Sequence, residues 1–95
     1  MTKYEIMYII RPSVDEEGRK QIMDKLENAL TKNNAEIINK DEWGMRELAY
    51  EIEDHTKGYY VVMNVNATQE ARQEYERILR LQEDVIRDIM IKDVR

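Results

Sequence analysis

The sequence predicts a single α+β domain over residues 1–95, in which a four-stranded antiparallel sheet carries two helices on one face, in the order β-α-β-β-α-β. Three observations support this class. Apolar residues alternate with a period of two in four separate stretches, and they recur at helical spacing in two others. The third is composition, because 42% apolar residues in 95 are enough for one hydrophobic core and too many for a disordered chain.

The first element is predicted to be an interior strand. The stretch Tyr4–Ile10 is rich in β-branched and aromatic residues and ends shortly before Pro12. Because successive side chains of a strand point to opposite faces, both faces of this stretch carry apolar residues. One face has Tyr4, Ile6, Tyr8 and Ile10, and the other has Glu5, Met7 and Ile9.

A helix is predicted next, beginning at a capping box. Ser13 is the expected N-cap, and Glu16 stands three residues later as its partner. Asn33 and Asn34 are expected to end the helix, because Asn tolerates the left-handed backbone conformation. The buried stripe of this helix is predicted from residues at helical spacing, namely Ile22, Leu26, Ala29 and Leu30.

The middle of the chain predicts a β-hairpin. Alternation extends from Ala35 to Ile52 and is interrupted by Gly44, which indicates a bulge or bend in one long strand. Residues 53–58 form a cluster typical of a turn. Tyr59–Val65 then follows as a second interior strand.

The last two elements are a second helix and a final strand. Thr68 is the predicted cap of the helix. Val85–Lys92 is the predicted strand, and both of its faces contain apolar residues, so its orientation stays open. This order of elements is the split βαβ arrangement of ferredoxin-like domains. The stripe of the second helix is Ala71, Tyr75, Ile78 and Leu79.

The negative charge of the chain is concentrated in one segment. Twenty acidic and fifteen basic residues give a net charge of −5, which is unfavourable for a protein that binds nucleic acid alone. Residues 36–54 contain seven acids and two bases, a local −5, so the remaining thirteen acids and thirteen bases balance. This segment is either a solvated edge or a docking surface for a basic partner.

The residues needed for catalysis are scarce. There is no Cys, hence no disulfide, thiolate nucleophile or thiolate metal site, and no Gly-rich phosphate loop. His55 is the only His and lies in the predicted turn without partners, which favours solvent exposure. We therefore expect no enzyme activity, metal, cofactor or small-molecule substrate. No stretch approaches the ~18 apolar residues of a membrane span, and no signal peptide is evident, so the cytoplasm is the expected compartment.

The sheet face opposite the helices is predicted to be apolar. Alternation places Met7 and Ile9 of the first strand beside Tyr60 and Val62 of the third on this open face. An apolar patch facing water usually marks an interaction site. A binder of single-stranded RNA that resembles the RNA-recognition motif is an alternative, although residues 57–64 match only part of its third-strand signature.

One segment carries a family resemblance. Gly44–Ile52, with the sequence GMRELAYEI, resembles the G-x-R-x-L-A-Y-x-I signature of the sixth protein family of the bacterial small ribosomal subunit. The segments Lys57–Tyr60 and Ile86–Lys92 are similar to that family at the third and last strands, and the likeness covers nearly the whole chain.

The resemblance implies a non-catalytic, ferredoxin-like ribosomal protein. Such proteins bind the central domain of small-subunit rRNA cooperatively with a small basic partner, the eighteenth protein of the subunit. The residues expected to contact the RNA backbone are Lys3, Arg46, Arg87 and Lys92. Those expected at the protein partner are Trp43, Tyr50, Tyr60 and Val62, flanked by Glu42, Glu47 and Glu51. A small-ligand regulatory module on the same fold, or an enzyme with an enclosed pocket, would be the competing functions.

Overall fold

A computed structural model describes residues 1–92 and contains six elements in the predicted order. The strands form one antiparallel sheet in the order β2-β3-β1-β4, so β1 and β3 are central and β2 and β4 are edges. This confirms the predicted ferredoxin-like α+β fold. The elements are β1 (Thr2–Ile10), α1 (Glu16–Thr31), β2 (Glu36–Ile52), β3 (His55–Ala67), α2 (Gln69–Arg80) and β4 (Val85–Lys92).

The hydrophobic core lies between the helices and one face of the sheet. The predicted stripe of α1 is buried, and so are Ala71, Tyr75 and Leu79 of α2. These side chains pack against alternate residues of the central strands, because a strand buries every second side chain on one face. The central-strand contribution is Tyr4, Ile6, Tyr8, Ile10, Val61, Met63 and Val65, and apart from the tyrosines every buried side chain among residues 1–92 is apolar.

The N-terminus of α1 differs from the prediction. Asp15, not Ser13, is the N-cap, and its carboxylate accepts a hydrogen bond of 2.8 Å from the backbone N–H of Gly18. The prediction for Ser13 was wrong because the chain first makes a turn, in which the N–H of Val14 donates to the carbonyl of Arg11. The helix consequently begins two residues after the expected position, and Asp15 satisfies one of its free N–H groups.

The hairpin turn is tighter than predicted. Glu53 and Asp54 alone connect β2 to β3, and both have positive φ angles, of 48° and 67°. Two consecutive residues with positive φ are typical of type I′ turns, whose twist matches that of the flanking strands. The predicted turn over residues 53–58 was therefore wrong. His55 is the first residue of β3, pairs with Ile52 and is half-buried instead of exposed.

The predicted bulge at Gly44 is confirmed. The pairing of β2 with β3 shifts between Glu42 and Gly44, and Gly44 has a φ of 86°, a conformation that glycine adopts at little cost. Trp43 is the extra residue of this bulge and has no partner in the pairing. A bulge bends a strand and increases its twist, so it redirects the part of β2 that follows.

The orientation of β4, which the sequence left open, follows from its register with β1. Ile89 pairs with Met7, and Arg87 pairs with Ile9, so both belong to the face away from the helices. Met90 pairs with Ile6 on the opposite face and packs against the core.

Candidate interface on the open sheet face

The open face is the surface of the sheet that the helices leave uncovered. Register places Met7 of β1 between Val62 of β3 and Ile89 of β4, so three apolar side chains lie in one row across the sheet. Tyr60 belongs to the next row and pairs with Ile9. The predicted apolar character of this face is therefore present, and β4 extends it with residues that the sequence had not assigned to either face.

The end of the β2–β3 hairpin reaches over this face. The guanidinium carbon of Arg87 lies 5.7 Å from the centre of the Tyr50 ring, although these residues come from opposite edges of the sheet. Ile9, which was expected to be solvent-facing, is 2% exposed because the hairpin covers it. The bulge at Gly44 supplies the bend that such a path requires.

A small apolar cavity lies beneath the hairpin. Its volume is about 210 Å³, which leaves room for roughly one large side chain. Within the described part of the chain, Arg87 is the only charged residue that lines it, so the cavity suits an apolar group better than an ion. The lining residues are Met7, Ile9, Leu48, Ala49, Tyr50, Ile52, Tyr60, Arg87 and Ile89.

Two arginines lie against aromatic rings of this face, and two of its rings are stacked on each other. The rings of Trp43 and Tyr60 are stacked, with centroids 6.1 Å apart and planes inclined by 13°. The guanidinium carbon of Arg46 lies 5.3 Å from the centre of the Trp43 ring, and its Nε donates to the Trp43 carbonyl at 3.3 Å. Cation–π attraction of this kind holds arginines against rings and fixes both.

This arrangement brings together residues that the sequence analysis assigned to different partners. Trp43, Tyr50 and Tyr60 were expected at a protein interface, whereas Arg46 and Arg87 were expected at RNA. No local pattern indicates the contact of Arg87 with Tyr50, because this contact depends on the path of the hairpin. Arg46 and Trp43 are only three residues apart, and the predicted bulge at Gly44 lies between them, so their contact was accessible to sequence reasoning.

Two of the three acidic residues expected around this patch, Glu42 and Glu47, pair with residues on the helix side of β3. Glu42 pairs with Val61 and lies on the helix side, where its carboxylate accepts a hydrogen bond of 2.8 Å from the hydroxyl of Tyr59. Burial, this hydrogen bond and the charge of Glu42 raise the pKa of Tyr59 above its ordinary value, although Arg19 partly opposes them. Glu42 is therefore turned away from the ring cluster, contrary to expectation, because the bulge reverses the alternation after it.

The two other acidic residues of the expected interface lie on the hairpin. Glu47 pairs with Lys57 in register, on the same strand face as Met45, which pairs with Tyr59. Glu51 is exposed close to the turn. Their roles stay predictions, and together with Glu53 and Asp54 they make the hairpin end acidic.

The four predicted RNA-contacting residues form two separate groups. Arg46 and Arg87 lie at the hairpin end of the sheet. Lys3 pairs with Asn66, and Lys92 pairs with Tyr4, which places both lysines at the opposite end. All four side chains are exposed, so each is accessible to a phosphate.

Metal-binding groups are not assembled in residues 1–92. No cluster of three or more His, Asp or Glu side chains in this part of the chain could hold a metal ion. The space between the sheet and the helices, where an enclosed active site would lie, is filled by the aliphatic and aromatic core. Neither helix of the described chain is long and apolar enough to cross a membrane.

Comparison with known proteins identifies the family. The model of the family described as ribosomal protein S6 matches residues 3–92. The chain belongs to the ribosomal protein S6 family. This confirms the resemblance carried by Gly44–Ile52, and it makes the chain a protein of the small ribosomal subunit.

Solved structures agree with this assignment. The crystal structure of 30S ribosomal protein S6 from Thermotoga maritima matches with a TM-score of 0.91 and 29% identity, over 97% of this S6-family chain and 87% of that chain. The solution structure of the C-terminal domain of the MgtC protein from Mycobacterium tuberculosis has a TM-score of 0.65 at 12% identity, covering 98% and 88%. A protein from Arabidopsis thaliana has a TM-score of 0.59 at 13% identity, covering 100% and 95%. The last two show a shared fold alone.

Proposed function

We propose that this S6-family protein is a non-catalytic assembly protein that binds the central domain of small-subunit rRNA together with a small basic partner, the eighteenth protein of the subunit. In this proposal the partner covers the open face, and the pair binds RNA cooperatively. The observation that carries it is the open face itself, where an apolar row, a stacked aromatic pair and a cavity for one side chain adjoin a strongly acidic strand.

The acidic strand explains why the partner should be basic. Residues 36–54, which carry the local −5, form the edge strand β2 and its turn. Lys40, one of the two bases of this stretch, is already paired with Glu27 of α1 at 2.8 Å. A partner with positive charge beside an apolar anchor would complement both the edge and the cavity, and charge complementarity would speed the encounter.

The basic residues at the two ends of the sheet are the proposed RNA contacts. Lys3 and Lys92 at one end and Arg46 and Arg87 at the other would reach phosphates without reading bases. Because the protein alone is acidic, these contacts would suffice only when the basic partner adds its own charge to the complex.

The direct test is binding to a central-domain rRNA fragment at two salt concentrations, with and without the partner protein. Tight and salt-sensitive binding that requires the partner is the expected result. The absence of RNA binding under both conditions would reject the proposal. Trp43 is the only tryptophan, so its fluorescence reports partner docking independently of RNA.

The substitution Tyr60→Glu tests the open face separately. It would place a charge under the bound partner, and we expect partner affinity to fall at least about 30-fold, the effect of losing a hot-spot contact. Gln21→Glu, an equal charge change on an exposed position of α1, is the matched control and should leave affinity unchanged. Unaltered pairing of a folded Tyr60→Glu variant would exclude the open face as the docking site.

A second candidate function is stacking of unpaired RNA bases on the Trp43–Tyr60 pair. It is favoured by the exposure of Trp43, 43% of whose surface is accessible beside an arginine. Quenching of Trp43 fluorescence by short single-stranded RNA, in the absence of the partner, would support this candidate over the first.

A further inference from the structure

The helical layer contains a groove that the proposed interface does not use. It lies between α1 and α2, has a volume of about 580 Å³ and is open to solvent. Because it is on the helix side of the sheet, it stays accessible when the open face is covered. We call it the helix groove and define it by Lys25, Ala29, Lys32, Arg77, Ile78 and Leu81.

The walls of the helix groove are held by side-chain hydrogen bonds near the ends of both helices. The amide of Asn33 donates to the carbonyl of Ala29 at 2.8 Å, and the amide of Gln82 donates to the carbonyl of Ile78 at 3.1 Å. The first bond satisfies the Ala29 carbonyl near the end of α1. The second adds to the bond of 3.1 Å that the Ile78 carbonyl accepts from the N–H of Leu81. The groove is therefore a preformed feature of the helix pair.

The floor of the helix groove is apolar. Ala29 contributes only a methyl group, which leaves space between longer neighbours, and Ile78 packs partly against the core. Leu81 borders this space and is 64% exposed. A single exposed leucine is common on protein surfaces, but one beside a concave apolar floor offers contact area to an apolar side chain.

The rim of the helix groove is positively charged, in contrast to the chain as a whole. Among residues 1–92, Glu74 is the only acidic residue that lines it, and its carboxylate already accepts hydrogen bonds from Arg77. Lys25 and Lys32 make no ion pair within residues 1–92. With three basic residues and one acidic residue, the described lining has a net charge of +2, whereas the protein has −5. The two lysines are two helical turns apart, about 10 Å along α1.

We propose that the helix groove is a docking site for an acidic peptide segment that carries a leucine-like side chain between its carboxylates. The apolar side chain would lie over Ala29 against Ile78 and Leu81, and flanking carboxylates would pair with Lys25 and Lys32. The positive rim and the apolar floor together distinguish a peptide from RNA as the occupant. RNA phosphates would use the lysines but would gain nothing from the apolar floor, whereas an acidic amphipathic peptide uses both.

The experiment measures fluorescence anisotropy of a labelled peptide with the full-length protein at low salt. The probe has a central leucine flanked by glutamates, and two variants replace either the leucine by alanine or the glutamates by glutamines. We expect the first probe to bind about tenfold more tightly than either variant. Equal binding of the alanine peptide would overturn the proposal, because attraction would then be purely electrostatic.

Matched protein variants locate the site. Lys25→Glu with Lys32→Glu should weaken binding of the leucine peptide by at least about tenfold. Lys20→Glu with Lys57→Glu changes the net charge equally at exposed positions outside the groove, and should leave binding within about twofold of wild type. Equal losses in the two double variants would exclude the groove.

The substitution Leu81→Ser tests whether the groove binds a peptide or RNA. Leu81 is largely exposed, so this change should leave the circular dichroism spectrum of the protein unchanged. It should nevertheless weaken binding of the leucine peptide. A single-stranded oligouridine that binds through Lys25 and Lys32 but is insensitive to Leu81→Ser would reject the peptide in favour of RNA. Failure of both probes to bind would reject the site, without bearing on the proposed role of the open face.

Discussion

Gly58 illustrates how one residue constrains the candidate interface. It is buried in β3, and a Cβ atom at this position would overlap Cγ2 of Ile9 and contact Cδ2 of Leu48 at 3.6 Å. The absence of a side chain allows the hairpin to lie close to β1, which is what buries Ile9. Gly44 has a different role. A Cβ atom there would have no neighbour within 4 Å among residues 1–92, and it is the positive φ angle at this position that favours glycine.

We predict that Gly58→Ala lowers the free energy of unfolding by about 1–3 kcal/mol, the usual cost of overpacking. The adjacent Lys57→Ala is an exposed control and should change stability by less than about 0.5 kcal/mol. Urea denaturation of the two variants and the wild type measures both effects. If the two variants were equally stable, the close approach of the hairpin to Ile9 would be refuted.

At the scale of elements, the starts of α1 and α2 each depend on a single polar residue. Asp15 caps α1, whereas the neighbouring Ser13, which suits the capping-box pattern better, stands in the preceding turn. Thr68 caps α2 as predicted, and its hydroxyl accepts from the N–H of Ala71 at 3.2 Å. Sequence patterns thus identified both helices, but the capping-box pattern pointed to Ser13 and missed the cap at Asp15, two residues later.

The cap assignment yields a direct prediction. Asp15→Ala should destabilise the protein by about 1 kcal/mol, because it removes both a hydrogen bond to a free N–H and a negative charge at the helix N-terminus. Ser13→Ala should have almost no effect. Thermal unfolding followed by circular dichroism compares the two, and the opposite ranking would restore the capping box at Ser13.

For the whole molecule, the core contains two tyrosine hydroxyls whose ionisation bears on stability at alkaline pH. Tyr8 and Tyr75 are buried, and their hydroxyls have no hydrogen-bond partner among residues 1–92. Burial is the main reason that the pKa of each is raised well above its ordinary value, and nearby acidic groups add to it. Partial burial lowers the pKa of Lys40 more than any other single cause opposes it, but the hydrogen bond and charge of Glu27 and the nearby carboxylates together raise that pKa above its ordinary value.

We predict that stability falls as the pH rises above about 10. The unfolded chain releases its tyrosine protons near pH 10, whereas the folded protein retains them at Tyr8 and Tyr75, so unfolding releases protons and becomes more favourable. The raised pKa of Lys40 acts in the same direction. Urea midpoints at neutral and alkaline pH measure the decline.

The substitution Tyr75→Phe is the control for this pH effect. It should make the decline shallower, and it should not lower stability at neutral pH, because it removes an unpaired buried hydroxyl. A wild-type stability that is constant to well above pH 10 would contradict the prediction.

Local patterns were sufficient to predict the six elements, their order, the buried stripes and the bulge at Gly44, because alternation, helical spacing and glycine preferences act over a few residues. They also carried the family signature. The two-residue turn at Glu53 and Asp54 escaped prediction because neither residue is the glycine that usually marks such a turn.

The candidate interface was predictable only in part. Alternation placed Met7, Tyr60 and Val62 on one face, but the burial of Ile9 and the contact of Arg87 with Tyr50 depend on the path of the bent hairpin across the sheet. Such contacts join residues that are distant in sequence, and no local preference encodes them. The tertiary structure decided them because the bulge, the register of β4 and the close approach at a glycine must act together to bring opposite edges of the sheet into contact.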